Sequence, residues 1–196
     1  MTLMRAEDPY VLFRKWFADA VHAGTKLPEA MALATASRKG EPSVRIVLNR
    51  GLDRRGFTFF TNYNSRKSAD LRANPRAAIV FHWPLIKRQV RASGRVRTLT
   101  RAESDRYFQS RPRESRLSAW ISPQSEEIPG RAFLEEAYAR AEARFAGKRI
   151  PRPPFWGGFL LIPDEMEFWQ GLAHRLHHRV SYRKTARGWK AVTLAP

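Results

Sequence analysis

The chain has 196 residues, 43% of them hydrophobic and 12% aromatic, enough for one domain with a packed core and too apolar for a disordered chain. It contains no cysteine, which excludes disulfides, thiolate metal ligands and thiol nucleophiles, and no apolar run approaches the roughly 20 residues of a membrane span. With 36 basic against 18 acidic side chains the formal charge is +18, which favours anionic partners without choosing among nucleic acid, acidic membranes and small phosphorylated molecules.

The opening MTLMRAEDPY lacks the long apolar core of a signal peptide, so a cytoplasmic location is expected. Asp8-Pro9 reads as an N-cap with proline at the first helical position, and Leu12/Trp16, Phe13/Phe17 and Phe17/Val21 recur at helical spacing until Gly24. From Met31 the texture turns to short β-like runs: MALATAS, SVRIVLN, GFTFFTN, AAIVFHW and RQVRASGRVRTL, later GGFLLIP, MEFWQG, RLHHRVSYR and GWKAVTL. Lys39-Gly40, Asp53 to Gly56 and Asn74-Pro75 supply turns.

Three helices are expected between the strands. Ser65 can cap RKSADLRAN, Thr100 with Glu103 forms a capping box ahead of SDRYFQS, and RAFLEEAYARAEARF runs to Gly147 before the Pro-rich KRIPRPPFWGG. Nothing repeats. The pattern predicts one domain over residues 1–196, mainly β with helices (α+β), built as a small barrel.

Several stretches can carry chemistry. In RIVLNR one face would hold Arg45, Val47 and Asn49, the other Ile46, Leu48 and Arg50. TNYNSRK places Arg66 and Lys67 in the first turn of a helix, where cations oppose the dipole; that suits a bound anion, against the plainer reading of a solvated turn. Tyr107 and Arg111, at i and i+4, converge on one point, and with Ser115 beyond the Pro112 break they suit a phosphate; the plainer reading is a capped helix with an exposed end.

In KRQVRASGRVRT the polar face carries Gln89, Arg91, Ser93, Arg95 and Arg97 and could track a nucleic-acid backbone. The basic residues are scattered along the chain with no nucleic-acid signature, so that partner is disfavoured. His174, His177 and His178 invite a metal, but the nearest acids are Asp164, Glu165 and Glu167, and no metal site is expected. Read with period two, FWQGLAHRLHHR puts Arg175, His177 and Arg179 on one face and Leu176, His178 and Val180 on the other. No Gly-x-Ser-x-Gly, Walker or GxGxxG stretch occurs, which leaves hydrolase and dinucleotide folds unsupported.

In this order RIVLNR, FFTNYNSRK, KRQV, YFQSRPRES, SAWISPQS, PPFWGGF and EFWQGLAHRLHHR resemble the pyridoxine/pyridoxamine 5'-phosphate oxidase family over practically the whole chain. The resemblance implies an FMN-binding split β-barrel, assembled as a homodimer with FMN at the subunit interface. It implies FMN held by Arg45, Ile46, Val47, Leu48, Asn49, Arg50, Phe60, Thr61, Arg66, Lys67 and Gln89, completed by Gln124, Ser125, Trp169 and Arg179 from the other subunit.

The phosphate of a small phosphorylated pyridine substrate would be gripped by Arg50, Tyr107, Arg111 and Ser115, with Arg175 and His177 as catalytic residues at the reacting end. The implied reaction passes a hydride equivalent to the flavin, which O2 reoxidises with release of H2O2. Same-fold oxidation of another substrate, as in phenazine-type relatives, and a non-catalytic flavin- or phosphate-binding module are the alternatives. Three departures stand out: few residues before Asp8 where the family carries a longer basic arm, Arg50 for a lysine, and RLHHR for RLHDR, which makes His178 of an acid.

Overall fold

The computed structural model describes residues 8–196; the segment ahead of Asp8, where the resemblance puts a shortened arm, lies outside the described residues. Helix α1 (Pro9–His22) begins as expected, with Asp8 Oδ1 accepting from Tyr10 N–H at 2.8 Å. Its inner face buries Leu12, Phe13, Trp16 and Ala20. Phe13 packs edge-on against Phe57 (5.0 Å) and Phe81 (4.9 Å), and Trp16 against Phe168 (5.3 Å), so α1 plugs the sheet's concave side. Trp16→Ala should therefore cost about 3–5 kcal/mol, read as a lower urea midpoint at unchanged m-value.

The strands are β1 (Ala30–Ala36), β2 (Pro42–Leu48), β3 (Gly51–Asp53), β4 (Gly56–Asn62), β5 (Arg76–Trp83), β6 (Arg88–Thr98), β7 (Trp156–Gln170), β8 (His178–Thr185) and β9 (Gly188–Thr193). They pair antiparallel in the order β2-β1-β5-β6-β7-β4-β3, with β8 on β7 and β9 on β8. One side of β7 pairs with β6 along its length, while the other pairs first with β4 and then with β8. The curled sheet divides there, which makes the barrel split. Among the described residues no helix is long and apolar enough to cross a membrane.

The helices between strands are α2 (Arg66–Ala73), α3 (Arg101–Ser110), α4 (Arg113–Ile121) and α5 (Arg131–Arg144). Both halves of the α3 capping box form. With Trp156 and Ile150, α3 to α5 build a second small core around Phe108, Leu117 and Phe145, outside the barrel.

Four sequence expectations are corrected. GGFLLIP and MEFWQG are one strand, because the register shifts between Ser93↔Glu165 and Gly94↔Pro163 and absorbs Asp164 in a bulge. Gly94 makes this approach feasible: a Cβ there would lie 2.1 Å from Ile162 O. Pro112 breaks the chain after α3 as expected but also stands at the N-cap position of α4, a helix the pattern did not show, so Ser115 beyond the break sits in a first helical turn. β3 was too short to show in the pattern, and an Asp53 to Gly56 turn sets it.

The last correction concerns RLHHRVSYR, where the strand starts only at His178. Residues Ala173–Arg175 form a 3-10 turn in which His174 (φ 56°) and Arg175 (φ 60°) are both left-handed. Two such residues destroy the period of two, so Arg175, His177 and Arg179 do not form one row.

Candidate functional site

A cavity of about 550 Å³ opens between the barrel and the second core. Arg45 to Leu48 and Arg50 line one side, Phe60, Thr61 and Asn62 of β4 another, and Lys67 enters from the first turn of α2. Tyr107, Arg111, Ser118, Ala119, Ser122, Gln124 and Trp156 close it. Among the described residues no acidic side chain lines it.

Its cations fall into two groups. Lys67 is only 8% exposed, and its Nζ donates to Thr61 Oγ1 (3.0 Å), Ser65 Oγ (2.9 Å) and Gln124 Oε1 (2.8 Å), all neutral. Burial, reinforced by the neighbouring Arg45 charge, pushes its pKa down to about 8. The Ser65 hydroxyl donates to Asn62 O at 2.7 Å, so the expected Ser65 side-chain cap on α2 is not made; Arg66 N–H turns instead to Ser125 Oγ and Ser68 N–H to Ser65 O (2.9 Å). Arg45 is committed to Leu33 O, Thr35 Oγ1 and Ser43 Oγ, and stiffens this wall.

Arg111 and Arg50 form the second group. The Arg111 guanidinium lies 4.7 Å over the Trp156 ring, and its buried Nη1 has no acceptor in the protein. Burial lowers its pKa, and Arg50 adds to that. Tyr107 stacks on Phe60 at 3.8 Å. Arg50 reaches Glu29 at 3.5 Å.

Arg45, Ile46, Val47, Leu48, Arg50, Phe60, Thr61, Lys67, Tyr107, Arg111 and Gln124 thus meet in one place. Gln124 and Ser125 are corrected relative to the resemblance: Gln124 bonds Lys67 of its own chain, and Ser125 Oγ accepts from Arg66 N–H (3.4 Å). Asn49, Arg66 and Ser115 do not line the cavity; Ser118 and Ser122 of α4 do. Asn62, Ser118, Ala119, Ser122 and Trp156 line it without having been singled out. For Trp156 the sequence held a signal in the following Gly157-Gly158, where a Cβ at Gly158 would lie 2.8 Å from the Phe60 ring.

The remaining candidates gather elsewhere. Gln89 pairs across the sheet with Trp169 and Trp169 with Arg179, a transverse row over β6, β7 and β8. The His177 ring lies 4.7 Å from Trp169, its Nδ1 accepting from Leu172 N–H at 3.1 Å, and Arg175 is in the same turn. This cluster is at the end of β7, whereas Trp156 at its start is in the cavity; the 13 steps from Trp156 to Trp169, at about 3.3 Å each, put roughly 43 Å of strand between them.

Arg179 donates from Nε and Nη2 to the Glu167 carboxylate (3.0 and 3.2 Å) and from Nη1 to Ala195 O (2.8 Å). Glu167, 4% exposed, is also bonded by Arg91. Burial raises the Glu167 pKa, but the hydrogen bonds from Arg179 and Arg91 outweigh it and hold the carboxyl below its usual range.

A larger cavity of about 860 Å³ lies between α3 and the 149–154 connection, but its polar walls satisfy one another: Arg152 with Asp105 (2.5 Å), Arg149 with Gln109 (3.3 Å). The smaller one keeps an orphaned donor and unpaired cations, and so is the better anion site.

A family model described as pyridoxamine 5'-phosphate oxidase matches residues 17–145, and a pyridoxine 5'-phosphate oxidase C-terminal dimerisation region matches 156–196. A pyridoxine/pyridoxamine 5'-phosphate oxidase of Cupriavidus taiwanensis is 53% identical over 192 residues, 97% of this chain and 90% of the relative. One from Anaeromyxobacter dehalogenans is 53% identical over 191 residues, 97% and 96% of the two chains. The structure of PhzG from Burkholderia lata 383, solved with tetrahydrophenazine-1-carboxylic acid, superposes with a TM-score of 0.94 at 32% identity, covering 100% of this chain and 98% of that one.

Proposed function

This chain belongs to the pyridoxamine 5'-phosphate oxidase family, and on that premise we propose that it is an FMN-dependent oxidase of pyridoxine 5'-phosphate or pyridoxamine 5'-phosphate. The products are pyridoxal 5'-phosphate and H2O2, with ammonia from the amine and O2 as the acceptor. The observation that carries this reading is one cavity with two separate cation groups and no lining carboxylate, which suits two phosphorylated molecules side by side.

The Lys67 group fits a flavin phosphate: a buried ammonium with only neutral acceptors gains most from a dianion, and it stands in the first turn of α2, where the helix dipole favours an anion. Arg45 to Arg50, Phe60, Thr61, Arg66 and Gln124 with Ser125 would complete that side. Bound flavin would supply the hydride acceptor. Arg50, Tyr107 and Arg111 would take the substrate phosphate and hold the ring in register, with Ser118 rather than Ser115 as the α4 hydroxyl on that wall.

Gln89, Trp169, Arg175, His177 and Arg179 stand too far along β7 to reach their own cavity, so a second copy supplies them and the site forms at a homodimer interface. The matched dimerisation region supports this assembly. A groove on the outer sheet face, walled by Ala32, Ala34, Val44 and Ala78 beside Arg91 and Glu167, with exposed Val44 and Ile46, offers an apolar contact surface. Residues 1–196 act as one FMN-binding unit in the cytoplasm.

The PhzG likeness gives same-fold oxidation of another substrate a footing, although the 53% identical relatives are closer in sequence. One experiment separates the readings: purified yellow protein is mixed anaerobically with pyridoxine phosphate, pyridoxamine phosphate or unphosphorylated pyridoxine. Bleaching by the phosphorylated pair alone is expected. No bleaching by either phosphate would overturn the assignment, and a colourless protein that cannot be loaded with FMN would overturn the flavin reading as well.

A further inference from the structure

We propose that Trp156 is a positioning residue for Arg111, carrying its guanidinium on the indole face so that its N–H groups reach the cavity uncommitted. This deepens the proposed function and rests on the phosphate role given there to Arg111.

A buried cation must be held by something. The partly exposed Arg179 shows one way to hold a guanidinium, with Nε and Nη2 on Glu167 and Nη1 on Ala195 O, leaving little of its fork for a ligand. Arg111 shows the other. Among the described residues no carboxylate pairs with it, and the π face of Trp156 lies 4.7 Å from its central carbon. A ring attracts a cation through its face, whereas guanidinium donors radiate in the plane of the group. Stacking therefore compensates the charge without using the donors, and Nη1 is left buried and without an acceptor.

The ring that does this is itself fixed. Trp156 is 6% exposed, parallel to Phe60 (5.5 Å, 12°) and Tyr107 (6.2 Å, 5°), and braced edge-on by Phe108 (5.2 Å, 68°). Its backbone N–H donates to Pro153 O at 3.1 Å. Tyr107 and Arg111 are consequently referenced to one stack, which sets the separation of phenol and guanidinium that a phosphate would bridge.

The test compares wild type, Trp156→Leu and Trp156→Phe as flavin-loaded enzymes. Two quantities are read: KM and kcat for pyridoxamine 5'-phosphate, and the dissociation constant of inorganic phosphate by calorimetry. Trp156→Leu should raise both KM and the phosphate constant about tenfold and change kcat less than about threefold, since a desolvated cation–π contact of this kind corresponds to roughly that factor.

Trp156→Phe keeps a weaker π face and should stay within about threefold of wild type. Equal losses in Leu and Phe variants, an unchanged phosphate constant in the Leu variant, or an effect confined to kcat would each overturn the proposal. If Trp156→Leu does not fold, Trp156→Phe decides alone: a phosphate constant raised by about two- to threefold at retained kcat supports it, and an unchanged phosphate constant, whatever kcat does, overturns it. Phosphate binding also separates the two readings, because it tests Trp156 even if no B6 phosphate is turned over.

Discussion

Lys67→Met is expected to fold and yet lose flavin, with FMN affinity falling about 100-fold, the scale of a charge-assisted phosphate contact in a desolvated pocket. Flavin content after gel filtration and a fluorescence titration with FMN measure it. The same substitution should stabilise the flavin-free protein. In that form Lys67 is an ammonium at 8% exposure whose three partners are all neutral, and its pKa is pushed down to about 8.

The sign follows from linkage. Between about pH 8 and the ordinary lysine range the unfolded chain holds a proton that the folded one has released, so stability rises with pH across that window. The full penalty, on the order of 3 kcal/mol, applies below about pH 8. Flavin-free wild type should therefore gain melting temperature from pH 8 to 9.5 while Lys67→Met stays flat. FMN affinity should run oppositely, strongest below about pH 8 and weakening above it, because the phosphate binds the protonated amine. A wild type flat over that window, or a Lys67→Met that retains FMN, would remove Lys67 from the flavin site.

Buried cations of this kind are where local rules in the sequence are broken for function. Arg66 and Lys67 in the first turn of a helix oppose its dipole, and that misplacement pointed to an anion before any fold was known. Helix α1 and the α3 capping box were legible because their signals are local: Asp8-Pro9, and Thr100 with Glu103. Helix α4 was hidden because a proline that ends one helix opens another equally well.

The 3-10 turn before β8 was hidden for a different reason. Two successive non-glycine residues in the left-handed region cost on the order of 1–2 kcal/mol each, and no short-range signal asks for that. Nor did period-two reading show that β7 is continuous, since the bulge at Asp164 depends on Gly94 in another strand. That continuity matters most for the site, because it separates Trp156 from Trp169 and sends Gln89, Trp169, Arg175, His177 and Arg179 away from the cavity. The role of Trp156 was illegible for the same kind of reason: its partners Phe60, Tyr107 and Arg111 come from β4, α3 and the residue that follows α3.

Arg111→Ala and Arg175→Ala should each be nearly inactive, down about 100-fold or more in kcat/KM, yet a mixture of the two should recover. Arg111 stands in the cavity at the start of β7 and Arg175 in the turn beyond its end, so each site would take one from either copy. In a mixed dimer one site collects both defects and the other collects neither. Random reassociation makes half of the dimers mixed, and half of their sites intact, giving about a quarter of wild-type activity. The variants are purified separately, dissociated in mild denaturant, mixed and reassociated before assay. Lys67→Met mixed with Arg111→Ala serves as the control: both defects lie in the cavity side, every site in the mixed dimer keeps one of them, and no recovery is expected. Recovery in the control as well would mean that sites are not shared as the length of β7 requires, and no recovery in the first mixture would place Arg175 outside the partner's cavity.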